Sequence, residues 1–225
     1  MSISTRLEGS VKAGLALLAV AALAATLNRA THTDEGAANW ISYFTNLSNL
    51  FGVAVLLTGA VALLWGTRPV PDLVRGAATL YLVITGAVYW SLLAGTIDAN
   101  TIIWANDVVH GVMPAVFLAD WLLRPPLRRI PWTKALPWLA FPLLYLAYSL
   151  LRGPSAGWYP YDFLDPRNPG GYGHVATWSV IITLAFSVVA SLLVLYANAR
   201  RKSGTTGGTG GIGERDGRDQ ELTVA

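Results

Sequence analysis

Six stretches of mostly apolar residues, near 11–27, 43–65, 76–94, 102–123, 136–151 and 175–197, are separated along this chain by short polar segments. A helix needs about 20 residues to cross the hydrocarbon core of a bilayer, and each stretch comes near that length. The pattern predicts an all-α fold: a polytopic membrane bundle of six transmembrane helices occupying residues 1–202. The fifth stretch is the shortest and holds Pro137 and Pro142, so its inner end is expected to be kinked or ragged. Gly59, Gly86, Gly95 and Gly111 lie within or at the ends of these stretches, where small residues let neighbouring helices approach closely. Residues 203–225 are Gly- and Thr-rich and then charged, which reads as a disordered cytoplasmic tail.

Lys and Arg set the orientation. Arg6 and Lys12 precede the first stretch, Arg68 and Arg75 lie between the second and third, and Arg124, Arg128, Arg129 and Lys134 lie between the fourth and fifth. Arg200, Arg201 and Lys202 follow the sixth, whereas the alternate loops hold only Arg29, Arg152 and Arg167. Basic and basic-poor loops therefore alternate in step with six crossings of a cell membrane, with both ends expected in the cytoplasm. Arg6 and Lys12 ahead of an apolar run also fit a signal peptide, whose removal would leave five helices in the same orientation. The length of the run favours its retention.

Composition agrees with the pattern. Of the 225 residues 53% are hydrophobic and 13% charged, against about 25% charged in soluble domains. The 9 Trp and 9 Tyr suit membrane–water interfaces. A net charge of +3 raises the question of nucleic acid, but the basic residues are scattered through short loops and form no patch. With 0 Cys, disulfides, thiol nucleophiles and iron–sulfur ligation are excluded.

Polar side chains are costly in lipid, so those inside the apolar stretches carry the information about function. The second stretch opens Tyr43-Phe44-Thr45-Asn46-Leu47-Ser48-Asn49-Leu50, with Thr45, Ser48 and Asn49 on one helical face. The fourth holds Asn106, Asp107 and His110, the last two again on one face. Both stretches enter from the outer side, which puts Thr45, Asp107 and His110 at comparable depth in the outer half. Each has a structural reading as well. Thr45 can bond back to a carbonyl one turn earlier, Asn46, Ser48 and Asn49 can tie helices together, and Asp107 can favour a helix start. His110, an ionisable residue within the membrane, is the strongest functional candidate. Asp120 is expected to pair with Arg124, one turn on. The segment from Gly157 to Gly173 is too aromatic for a solvated linker and too rich in Pro and Gly for a helix, and is expected to fold back as a lid or an interfacial cap.

The block Tyr43-Phe-Thr-Asn-Leu-Ser-Asn-Leu50 resembles the second-helix motif of the androgen-induced-protein family, six-helix membrane proteins with many bacterial relatives. Asp107-Val-Val-His110-Gly-Val-Met-Pro114 with Asp120-Trp121 resembles the fourth-helix motif of the bacterial branch. Tyr159-Pro-Tyr-Asp-Phe-Leu-Asp-Pro166 with Gly170-Gly-Tyr-Gly173 is similar to that branch too. The resemblance covers the chain except its tail. Animal members are hydrolases of fatty acid esters of hydroxy fatty acids, with an intramembrane Thr and His as catalytic residues, and these motif positions fall on Thr45 and His110. The resemblance therefore implies a lipid or fatty acid ester as substrate.

A Thr hydroxyl is a weak nucleophile that needs a base within hydrogen-bond reach, and neutral imidazole suits that task. Asp107 is the candidate to orient the imidazole, and Asn46 or Asn49 to stabilise an oxyanion, with Ser48 as a further supporting residue. No metal or cofactor is called for. Two competing readings stand beside the hydrolase: haem ligation by His110 with His174, and a non-catalytic lipid-binding or transport protein using the same polar pocket.

Overall fold

The computed structural model describes residues 2–96 and 101–205. Among them every regular element is helical. Helix α1 (Ile3–Thr31) is capped by Ser2, whose hydroxyl accepts from the Thr5 N–H at 3.1 Å. A short α2 (Gly36–Trp40) leads into α3 (Phe44–Trp65), and α4 (Asp72–Val88) continues through a π-helical turn, Tyr89–Leu93. Then α5 (Ile103–Asp107), a second π turn (Val108–Val112) and α6 (Met113–Leu123) form one continuous rod. Next come α7 (Trp132–Ala135), a 3₁₀ turn at Leu136–Leu139 that contains Pro137, and α8 (Ala140–Ala156). Gly157, at φ 62°, ends α8 in the left-handed conformation that glycine adopts without strain and turns the chain into an irregular loop. Last is α9, Gly171–Thr205. The tail expected from Ser203 onward lies, past Thr205, outside the described residues, as do residues 97–100 between α4 and α5.

Among the described residues, five helices are long and apolar enough to cross a membrane: Ile3–Thr31, Phe44–Trp65, Asp72–Leu93, Trp132–Ala156 and Gly171–Arg200. They are compatible with a multi-pass membrane protein. The rod at 103–123 is about 31 Å long but is not among them, because Asn106, Asp107, His110 and Asp120 dilute its apolar content. It is packed inside the bundle against α1, α3 and α4.

Two packing regions hold the bundle together. Ala16, Ala19, Ala22 and Ala30 give α1 a fully buried small-residue stripe that lets α3 and the rod approach closely. On the other side, large aromatic residues fill the space between α4, α8 and α9: Phe44, Tyr81, Trp121, Trp138, Tyr145 and Phe186 are all buried. The outward faces carry Leu17, Leu144, Leu184 and Leu192, each at least 59% exposed, an apolar surface suited to lipid.

Both ends of the described chain lie at one end of the bundle, marked by an ion network. Asp120 accepts from Lys12 Nζ at 2.7 Å and from Arg75 Nη2 at 2.8 Å. Its contact with Arg124 is the longer one, at 3.4 Å, and Arg124 also pairs with Glu8. The i,i+4 partner read from the sequence is therefore secondary to two partners brought by tertiary packing.

Candidate functional site

The site lies at the opposite end, where the start of α3 meets the π turn of the rod. The cause is local. Pro114 has no N–H, and the Met113 N–H reaches back five residues to the Val108 carbonyl, so the helix widens into a π turn. The Val109 and His110 carbonyls then accept from side chains. Asn49 Nδ2 donates to Val109 O at 3.1 Å, and Trp90 Nε1 donates to His110 O at 3.0 Å. Gly86 allows this approach of α4, since a Cβ there would sit 3.0 Å from the His110 carbonyl oxygen and from the Pro114 ring. The π turn thus becomes the point to which α3 and α4 are both tied.

These contacts frame the His110 ring on three sides. Its Nδ1 lies 3.1 Å from the Asn106 carbonyl oxygen, which can only accept, so Nδ1 carries the proton and Nε2 presents a lone pair. Tyr89 stacks on one face at 3.9 Å between centroids and 15° between planes. The Tyr89 hydroxyl accepts in turn from Asn106 Nδ2 at 2.6 Å. Thr45 Oγ1 stands 3.2 Å from Nε2, and its hydroxyl donates to that lone pair. Thr45 is the second residue of α3, so its backbone N–H has no intrahelical partner. That N–H donates to the Tyr161 hydroxyl at 3.4 Å, and Tyr161 Oη lies 3.5 Å from Thr45 Oγ1.

The other residues singled out from the sequence are placed differently. Asp107 is exposed, and the position it would fill against Nδ1 is taken by the Asn106 carbonyl. Asn46 Nδ2 donates to Trp40 O at 2.6 Å, Ser48 Oγ to Phe44 O at 2.6 Å, and Asn49 Nδ2 to Thr45 O at 2.9 Å as well as to Val109 O. All three are buried and hold backbone in place. Asn49 Oδ1 is buried with no partner among the described residues. His174 packs against Trp178 at the start of α9.

Tyr161 belongs to the loop at 157–170, which lies over this end of the bundle. Its ring stacks on Phe163 at 5.0 Å and meets the edge of Tyr43 at 5.7 Å. Burial pushes the Tyr161 phenol pKa up, so it remains a hydrogen-bond donor. Arg167 fastens the loop by pairing with Asp165 at 2.6 Å and donating to Gly157 O at 2.9 Å, and its guanidinium holds the Asp165 carboxyl below its usual range. The sequence shows this loop as aromatic but does not single out Tyr161, because a loop aromatic reads equally well as an interface anchor.

Below the loop and beside Thr45 is a cavity of about 80 Å³, almost wholly apolar, bounded by α3, α4, α8 and α9. Thr45 and Tyr161 form part of its wall together with Phe44, Ile84, Leu146 and Phe186. The arrangement offers a hydroxyl, a base with its lone pair aimed at that hydroxyl, a second hydroxyl donor and an adjoining apolar slot. Comparison with protein-family models, with curated proteins and with solved structures finds no match to this chain.

Proposed function

We propose that this chain is a membrane-embedded hydrolase of lipid esters, with Thr45 as nucleophile and His110 as general base. One observation carries the reading: Thr45 Oγ1 lies 3.2 Å from an imidazole nitrogen whose lone pair is fixed by the bond from Nδ1 to Asn106 O. The resemblance of Tyr43–Leu50 and of Asp107–Pro114 to the two helix motifs of the androgen-induced-protein family supports it. In the same proposal the rod is a sixth crossing, the basic network end faces the cytoplasm with both termini, and the site opens towards the outer leaflet of the cell membrane.

Thr45 Oγ1 attacks the ester carbonyl carbon while its proton passes to His110 Nε2. The tetrahedral oxyanion is met by the Tyr161 O–H and by the start of α3, where the helix dipole favours negative charge. The carbon–oxygen bond to the alcohol breaks as the imidazolium returns its proton to that oxygen, leaving an acyl ester on Thr45. Water, deprotonated by Nε2, then attacks the acyl carbon, the bond from that carbon to Thr45 Oγ1 breaks as the imidazolium returns its proton to Oγ1, and the acid is freed. Asn106 O keeps the proton on Nδ1 throughout, the role that a carboxylate plays in serine triads.

The test is a fluorophosphonate probe applied to the purified protein in detergent. The wild type is expected to label at Thr45, as mapped by peptide mass, while Thr45→Ala and His110→Ala do not label. A folded wild type that stays unlabelled and cleaves no lipid ester would sink the hydrolase and leave lipid binding or transport as the use of the pocket.

A further inference from the structure

The cavity beside Thr45 is roofed by the loop but open at one flank. Leu143 on α8 lines it and is also 50% exposed on the outside of the bundle. Across from it on α9, Ser179 and Thr183 line the cavity and also a shallow outer groove, which they share with Val180 and Leu184. Those last two are each 59% exposed. Inner cavity and outer groove therefore meet at two small side chains, between exposed leucines, on an apolar face. Above, Leu164 is buried and the loop is fastened by Arg167, which closes the route through the end of the bundle.

We propose that the gap between α8 and α9 is a lateral portal through which one acyl chain of a membrane ester enters from the bilayer, bringing its carbonyl to Thr45. The inference rests on the hydrolase reading for the chemistry, though not for the binding. The occupant follows from the lining and the surroundings. The slot offers an incoming chain almost no hydrogen bonds, so a headgroup has nothing to gain there, whereas an alkyl chain exchanges lipid for protein at little cost. About 80 Å³ is room for roughly five to eight water-sized groups in file, at about 10–15 Å³ each. That suits one chain and excludes two. Ser179 and Thr183 are the selective positions, because a larger side chain at either one fills the gap between groove and slot.

Two measurements on the full chain test this. The first compares kcat/KM for p-nitrophenyl laurate and p-nitrophenyl acetate in detergent. Thr183→Trp is expected to lower the laurate-to-acetate ratio at least tenfold, while Leu195→Trp, exposed on the same helix, leaves the ratio unchanged. The second reconstitutes the protein in phosphatidylcholine vesicles with a diazirine-bearing palmitic acid. Crosslinks are expected at Leu143 and Thr183 in wild type and in Thr45→Ala, and are lost in Thr183→Trp. Crosslinks without any hydrolysis uphold the portal and overturn the hydrolase. Hydrolysis whose chain-length ratio ignores Thr183→Trp overturns the portal and leaves the hydrolase standing. Absence of crosslinks at α8 and α9 in wild type also overturns the portal.

Discussion

At the scale of single residues, the site shows how much an apolar context reveals. Thr45 and His110 stand out in the sequence because polar groups are costly within apolar helices, and they are in contact in the fold. Their pairing is not legible from hydropathy, which carries no information about which helices adjoin. The Asn106 carbonyl as orienting group was equally hidden, since the sequence displays Asp107 and every backbone carbonyl is silent in it. Asn49, read as a donor to an oxyanion, instead spends its amide on two carbonyls. The need for that arises only because Pro114 removes an N–H five residues away from the carbonyl concerned. Tyr161 is the residue that sequence reasoning missed. Replacing it with Phe keeps the ring stacked on Phe163 and removes only the hydroxyl. On the proposed mechanism kcat for an ester falls on the order of 10²-fold with KM little changed. Steady-state kinetics decides, and a kcat within twofold of wild type would remove Tyr161 from the chemistry.

At the scale of elements, the loop at 157–170 depends on a missing side chain beneath it. Gly153 on α8 is buried, and a Cβ there would collide with the Tyr159 ring at Cε1. An added methyl group must displace that ring, and Tyr159 stands two residues from Tyr161 while carrying the Arg167 guanidinium over its face. Gly153→Ala is expected to leave the helices intact, to speed protease cleavage within 157–170 severalfold and, on the proposed function, to lower ester turnover. Digestion timed against circular dichroism separates the two effects, and an unchanged cleavage rate would show the loop to be held by other contacts. The rod at 103–123 teaches a related lesson. Its polar residues weaken the signal by which a span is recognised, and they do so because the site is built there.

At the scale of the whole molecule, the two ends of the bundle divide the work. The network around Asp120 joins α1, α4 and α6 through side chains only 17–19% exposed. Removing its acid leaves Lys12 with only Glu8, at 3.9 Å, and Arg75 with only Asp72, at 2.9 Å. Asp120→Ala is expected to cost roughly 2 kcal/mol, between the values for exposed and for fully buried pairs. That lowers the melting temperature in detergent by on the order of 5 °C. A variant that melts within a degree of wild type would mean that the network contributes nothing net. The order in which the chain is made adds a last consequence. Thr45 and His110 both precede α8, the loop and α9, which supply most of the walls of the cavity between them. On the proposed mechanism, a chain entering a bilayer helix by helix therefore carries Thr45 and His110 before it has a place to hold an ester against them. On the proposed function, newly made protein cuts none of the lipids around it until its final helix has docked.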